Sequence, residues 1–234
     1  MIIRYPNQVR AGEVDNQLIS FVDFAPTLLS LVEIEPPDYY HGSPFEGIFK
    51  SKNERKYIHA AADRFDEYYD QIRAVRVKRY KYLRNYKPDK PYYLPLEYRQ
   101  KMNTMQELLH LEKEGELNES QLQWFRKSKP EEELFDTFND PHELRNLANN
   151  TSLKEKLNEL KNECDKWIHN TDDKGFMPET ELIEMFWPNK KQPRTKKPLI
   201  TTYDGMLHAT CETEGAGCLL YTSPSPRDRQ KSRM

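Results

Sequence analysis

The sequence predicts an α/β fold that combines a small antiparallel sheet with amphipathic helices. Residues 72–77 and 80–86 are rich in β-branched and aromatic side chains, and the polar pair between them indicates a hairpin. Residues 153–168 carry apolar side chains at helical spacing. Aromatic residues make up 12% of the chain. Disordered chains are poor in aromatic residues, so we expect a folded protein although 32% of its residues are charged.

The first elements are predicted to be the exit of a buried strand and a helix. Ile2 and Ile3 are taken as the end of that strand. In the second half of residues 17–34, the apolar side chains recur at helical spacing. Asp23 is a candidate N-cap, and Pro26 suits the first helical turn, where its missing N–H costs nothing.

The middle of the chain predicts a further set of short elements. Residues 57–62 suggest a strand, and residues 63–71 are expected to form a loop before the hairpin. Two charged helices are predicted over residues 97–113 and 118–127, then a short strand at 133–136. Asp140-Pro141-His142-Glu143 has the pattern of a helix start, with a cap residue, proline at the first position and an acid at the third.

The chain becomes rich in proline and lysine after residue 172, which is typical of a linker. Beyond it, Asp204-Gly205 separates two apolar runs and predicts a two-residue hairpin turn. Cys218–Asp228 resembles a translated sequencing adapter, so the tail is left out of the fold prediction. We therefore predict the end of a core domain at 1–56, a C-terminal subdomain at 57–172, a linker at 173–198, the start of a truncated β-domain at 199–217 and a non-native tail at 218–234.

Composition argues against two classes of partner. The net charge of −2 and the pI of about 6.3 give no overall basic field, so we expect no nucleic acid partner. No apolar run approaches the roughly 20 residues that a membrane helix needs, so we expect no membrane span. The six histidines lack the spacing of a metal motif, and the three cysteines form no disulfide framework. We expect no metal ligand in this chain.

One group of charged residues is dense enough to be a candidate binding site, because functional residues concentrate on loops. Its members are Asp63, Arg64, Asp66, Glu67 and Arg73. An arginine presents a planar fork that suits sulfate, phosphate or carboxylate oxygens. The alternative is a loop held by surface ion pairs, which contribute little energy.

Several blocks together resemble the C-terminal part of a type I sulfatase, near the heparan N-sulfatase and N-acetylglucosamine-6-sulfatase branch. They are M-I-I-R-Y-P-N-Q-V-R-A-G at 1–12, S-F-V-D-F-A-P-T-L-L-S-L at 20–31, D-Q-I-R-A-V-R-V-K-R-Y-K-Y-L-R-N-Y at 70–86, E-L-F-D-T-F-N-D-P-H-E-L-R-N-L-A at 133–148 and C-E-T-E-G-A at 211–216. The match spans nearly all of residues 1–216.

The resemblance implies an alkaline-phosphatase-like α/β sulfatase fold, of which this chain holds the last core elements and a subdomain with a four-stranded antiparallel sheet packed on a helix. Such enzymes hydrolyse sulfate esters or sulfamates of glycans with a formylglycine and a bound calcium ion. The formylglycine motif C/S-x-P-S/A-R is absent here, so no catalytic or metal residue is carried over and both cofactors are expected only in the full-length enzyme. For a bacterial full-length enzyme the resemblance implies a periplasmic or extracellular location.

The resemblance also places the loop before the hairpin in the substrate pocket. Asp63 and Arg64 occupy positions where the sulfamidase pattern has histidines, which favours a bacterial glycan O-sulfatase. Two alternatives remain at this point. One is another alkaline-phosphatase-superfamily hydrolase, a phosphodiesterase or phosphoglycerol transferase, and the other is a non-catalytic glycan-binding module.

Overall fold

The computed structural model describes residues 1–191 and 194–214, in two compact units, Met1–Gly175 and a second that begins at Phe176. The helices are α1 Phe24–Leu31, α2 Glu97–Gln100, α3 Asn103–Glu114, α4 Glu119–Leu122, α5 Lys154–Asn170 and α6 Glu179–Phe186. The strands are β1 Ile58–Phe65, β2 Tyr68–Arg76, β3 Tyr80–Asn85, β4 Glu132–Asp136, β5 Leu199–Tyr203 and β6 Met206–Thr210. The predicted division into five segments stays a prediction.

The first unit is built on a four-stranded antiparallel sheet in the order β1-β2-β3-β4. Strand β4 enters after a long segment, residues 86–131, that carries α2, α3 and α4. The register places Val75 of β2 opposite Tyr82 of β3, and Tyr82 opposite Leu134 of β4. Since side chains alternate between the two faces of a strand, these three residues point to the same face.

That face packs on α5 to form the core. Val75, Tyr82 and Leu134 are fully buried together with Leu160 and Cys164 of the helix. Full burial of an aliphatic side chain contributes about 1.5–3 kcal/mol, so this cluster is the main apolar contribution to the unit. The predicted sheet packed on an amphipathic helix is confirmed.

The segment before β1 departs from the prediction at both of its elements. Ile2 is almost completely exposed and no strand forms there, because none of the described strands pairs with it. Helix α1 begins near the expected residue, but the buried Asp23 carboxylate does not cap it. It accepts hydrogen bonds from the backbone N–H of Ser20 at 2.8 Å and of Ser43 at 2.9 Å, and it binds Arg55. Asp23 therefore ties α1 to the chain that follows.

Three predicted helices are altered, and the one expected over 118–127 is shortened to α4, Glu119–Leu122. The helix expected over 97–113 is interrupted at Lys101 and Met102, which separate α2 from α3. No helix begins at Asp140, since its carboxylate accepts the backbone N–H of Arg145 at 2.8 Å and Glu143 adopts a left-handed φ of 57°. That turn is incompatible with a helix at the same residues.

The second unit contains the predicted hairpin. Strands β5 and β6 pair from Leu199↔Thr210 to Tyr203↔Met206. Asp204 and Gly205 have φ values of 53° and 73°, as a type I′ turn requires. The predicted linker is not wholly irregular, because α6 lies within it. The predicted tail 218–234 lies outside the described residues, and no helix among those described is long and apolar enough to cross a membrane.

Candidate substrate-contact site

The predicted loop between residues 63 and 71 is a tight hairpin. Strand β1 continues to Phe65 and β2 already begins at Tyr68, which leaves Asp66 and Glu67 as the turn. Asp66 has a φ of 50°, a left-handed conformation that aspartate tolerates better than most residues. Both turn residues are exposed, and their carboxylates form no hydrogen bond or ion pair with the described part of the chain. The prediction of a loop was wrong because strand pairing extends further than the apolar pattern suggested.

A β-bulge interrupts this hairpin and sets where its polar side chains point. Ala62 pairs with Ile72 and Arg64 with Tyr69, so two residues of β2, Asp70 and Gln71, lie opposite Asp63 alone. A bulge bends its strand and redirects side chains. Here the Gln71 amide donates to the Gly175 carbonyl at 3.0 Å, whereas Asp70 accepts from Lys129 at 2.5 Å.

The bulge brings Asp63 to Arg73, whose side chain is fully buried. The Arg73 guanidinium donates to both Asp63 oxygens, at 2.6 and 3.1 Å, and to both Asp173 oxygens, at 2.5 and 3.0 Å. Burial lowers the pKa of Arg73, but these carboxylates outweigh burial and hold it above its usual range. Burial raises the pKa of Asp173, yet the bond to Arg73 prevails and lowers it. One cation is thus shared by two anions.

Gly175 closes this ion cluster from the side. Its backbone N–H donates to Asp173 Oδ1 at 2.8 Å, and its carbonyl accepts from Gln71. A Cβ at this position would lie 2.0 Å from an Arg73 nitrogen and 2.5 Å from Asp63 Oδ2. Only glycine fits so close an approach. The Arg73 side chain is therefore enclosed by this ion cluster and has no exposed surface in this conformation.

The cations near the end of the hairpin are gathered around one aromatic ring, that of Tyr69. The Arg64 guanidinium lies 5.4 Å from the ring centroid, Lys90 Nζ 5.4 Å and Lys87 Nζ 5.8 Å. Lys90 also donates to the Tyr69 carbonyl at 2.5 Å, and the Tyr69 hydroxyl donates to the Gly175 carbonyl at 3.4 Å. Cations within about 6 Å of a ring centroid are attracted to it. We call Arg64, Tyr69, Lys87 and Lys90 the basic cluster.

The chemistry of the basic cluster suits the binding of an anion. Guanidinium and ammonium groups donate to sulfate or carboxylate oxygens. In the described ranges 1–191 and 194–214 no group of three or more His, Cys, Asp or Glu side chains is arranged to hold a metal ion. The described residues therefore offer no donor set for the calcium ion, the sequence holds no formylglycine motif, and no step is assigned to either.

Comparison with known proteins shows the family to which this chain belongs. A profile of the family described as N-sulphoglucosamine sulphohydrolase, C-terminal, matches residues 1–123, more than half of the chain. The chain belongs to this sulphohydrolase family. The resemblance inferred from the sequence blocks is thereby confirmed.

Two curated relatives of this sulphohydrolase chain are ulvan-active sulfatases of Formosa agariphila. One is 55% identical over 217 residues, covering 92% of this chain and 36% of the relative. The other is 29% identical over 164 residues, covering 67% of this chain and 30% of the relative. The chain therefore spans about a third of their length. A solved 2-O GAG sulfatase is similar with a TM-score of 0.43 and 24% identity, over 65% of this chain and 25% of that one.

The structure brings together some predicted site residues of the sulphohydrolase chain and separates others. Asp63 and Arg73 meet in the buried ion cluster, Asp66 and Glu67 occupy the exposed turn, and Arg64 belongs to the basic cluster. Their role in substrate binding stays a prediction. Lys87 and Lys90 were not among the residues predicted for this site. Their signal was the run of basic residues among tyrosines after β2, which is compatible with several kinds of surface.

Proposed function

We propose that this chain is the C-terminal part of an enzyme that hydrolyses sulfate esters of a sulfated polysaccharide, and that ulvan is its substrate. The identity of 55% over 92% of the chain to an ulvan-active sulfatase is the observation that carries the proposal. The basic cluster supports it, because a sulfated polymer presents the anionic oxygens that clustered cations bind.

In this proposal the chain contributes substrate contacts and the catalytic centre belongs to other parts of the full-length enzyme. The sequence contains no C/S-x-P-S/A-R motif, and the described residues contain no metal-ion cluster. The calcium ion and the formylglycine are accordingly proposed for the full-length enzyme alone. The exposed hairpin end, with its turn acids and the adjacent basic cluster, is proposed to face the polymer.

The experiment compares the full-length enzyme with residues 1–217 expressed alone. We expect the full-length enzyme to release inorganic sulfate from ulvan and the isolated chain to release none. Sulfate release by the isolated chain would contradict the proposal that the catalytic centre lies in other parts of the full-length enzyme. A full-length enzyme that hydrolyses a phosphodiester such as bis(4-nitrophenyl) phosphate, but neither ulvan nor 4-nitrophenyl sulfate, would contradict the sulfatase assignment itself.

The contribution of the basic cluster is tested by Lys87→Ala in the full-length enzyme. We expect kcat/KM on ulvan to fall about tenfold, a factor that corresponds to about 1.4 kcal/mol, through a higher KM. Hydrolysis of 4-nitrophenyl sulfate, which is too small to contact a polymer site, should not change. Arg126→Ala is the matched control, since Arg126 is exposed and lies outside the cluster. Equal losses on both substrates would exclude polymer recognition as the role of Lys87.

A further inference from the structure

A cleft lies on the sheet face opposite α5. It has a volume of about 410 Å³, within the range of small-ligand pockets. Its floor is formed by apolar side chains of all four strands, Ala62, Ile72, Leu83 and Phe135. The segment between β3 and β4 supplies the opposite wall with Tyr92, Leu94, Arg99 and Trp124. The cleft is separate from the buried ion cluster, because Arg73 and Ile72 are successive residues of β2 and point to opposite faces.

Two acidic side chains on the floor of this cleft are each bound to neighbouring side chains. Asp70 forms a buried ion pair with Lys129, at 2.5 Å. Glu133 accepts hydrogen bonds from the Tyr92 hydroxyl and, at 3.0 Å, from the Asn85 amide. Burial raises the pKa of Glu133, more than the bond from Asn85 lowers it. The floor is thus a hydrogen-bonded surface on which each of these two carboxylates has a partner.

The rim of the cleft carries an exposed aromatic ring beside a cation. Trp124 is 46% exposed, and the Arg99 guanidinium lies 5.8 Å from its ring centroid. Within residues 1–191 and 194–214, the Arg99 side chain forms no ion pair and no hydrogen bond. The backbone that carries the indole is held in place, since the Trp124 carbonyl accepts the Tyr93 N–H at 3.1 Å and the neighbouring Phe125 ring packs on the Tyr93 ring at 5.1 Å.

We propose that this cleft binds a sulfated sugar residue of the polysaccharide at a point beyond the scissile sulfate ester. The inference rests on the proposed function, because it assigns a second contact to the same polymer. The Trp124 ring offers a flat apolar surface for the C–H face of a pyranose, and Arg99 offers two parallel donors to the sulfate oxygens. Hydroxyl groups of the sugar would meet His142 and Glu143, which also line the cleft; the Glu143 carboxylate is held by Lys81 at 2.6 Å.

The test is affinity electrophoresis of the full-length protein through native gels that contain dextran sulfate, polygalacturonate or unsulfated dextran. Trp124→Ala and Arg99→Ala are each expected to raise the dissociation constant for dextran sulfate about tenfold. Trp124→Phe should retain most of the binding, because it keeps a flat ring, and Arg126→Ala should bind as the unaltered protein does. Thermal melting of each variant verifies that the fold is unchanged.

The three polymers identify the chemistry that is recognised. Retardation by dextran sulfate alone supports sulfate as the group bound by Arg99. Equal retardation by polygalacturonate, lost in Arg99→Ala, would replace sulfate with a carboxylate and overturn that part of the inference. Wild-type binding of dextran sulfate by both alanine variants would overturn the cleft as a site altogether.

Measuring both dextran sulfate binding and sulfate release distinguishes a failure of this inference from a failure of the proposed function. If the full-length protein releases no sulfate from any substrate, yet Arg99→Ala loses its dextran sulfate binding, the cleft stands and the sulfatase assignment fails. If sulfate is released while both variants bind normally, the assignment stands and the cleft fails.

Discussion

Arg73 on β2 and Asp173 after α5 are 100 residues apart in sequence, yet two hydrogen bonds of 2.5 and 3.0 Å join their side chains. The same guanidinium holds Asp63 on β1. The contact therefore fixes the end of the helix to the strands on which it packs. It also holds the bulge that places Tyr69 and its surrounding cations at the end of the hairpin.

Arg73→Met tests the contribution of this contact to stability. The substitution keeps the approximate length of the side chain but leaves the carboxylates of Asp63 and Asp173 without their shared cation. Removing one partner of a buried ion pair costs about 3–5 kcal/mol, and we expect a loss of that size in the free energy of unfolding. Urea denaturation followed by circular dichroism measures it. The exposed control Arg126→Met should change stability by less than about 0.5 kcal/mol.

A compensating variant refines the interpretation of that loss. In Arg73→Met combined with Asp63→Asn and Asp173→Asn, the uncompensated charges are gone, so part of the lost stability should return. If the triple variant is no more stable than Arg73→Met alone, lost packing rather than unpaired charge explains the effect.

Acid should weaken the same contact. The pKa of Asp173 is lower in the folded protein than its ordinary value, because the hydrogen bond from Arg73 outweighs burial. A carboxylate of this kind contributes stability above the unfolded pKa of about 3.9, and that contribution is lost as the pH falls through the lower folded value. We expect the melting temperature to fall more steeply below about pH 4 in the unaltered protein than in Asp173→Asn. Parallel curves for the two proteins would contradict a lowered pKa at Asp173.

Gly175→Ala should be among the most damaging alanine substitutions in the chain. Its Cβ would lie 2.0 Å from an Arg73 nitrogen, so the guanidinium must leave its carboxylates or the backbone must shift. We expect a loss of about 3–5 kcal/mol, like that of breaking the ion pair directly. Gly115→Ala is the matched control, because Gly115 has a φ of +73° but open space around its Cβ, and it should lose only about 1–2 kcal/mol. Equal losses in the two variants would show that Gly175 is not a close-packing site.

The elements that the sequence predicted well are those fixed by local chemistry. Asp204 and Gly205 both adopt the positive φ that the hairpin turn requires, and residue types that tolerate it are recognisable in the sequence. The apolar spacing of α5 likewise determines which face of the helix is buried. The ion cluster depends instead on a bulge in β2 and on a chain segment 100 residues further on, and neither leaves a local pattern. The helix expected at Asp140 failed for a related reason, since its cap-like carboxylate closes a turn with Arg145 instead.

The buried thiol of Cys164 gives a probe of the core that is independent of charge. Cys164 is fully buried against the sheet, and burial raises the pKa of its thiol from 9.0 to about 11. Two pKa units reduce the thiolate fraction at neutral pH about 100-fold, and only the thiolate attacks a disulfide reagent. In a Cys211→Ser, Cys218→Ser background, we expect reaction with 5,5′-dithiobis(2-nitrobenzoic acid) to be at least about 100-fold slower in the native protein than in urea. Adding Cys164→Ser and Ser128→Cys moves the single thiol to an exposed position, where native and unfolded rates should agree within about tenfold. A native Cys164 that reacts as fast as that exposed thiol would mean that α5 does not pack on the sheet as described.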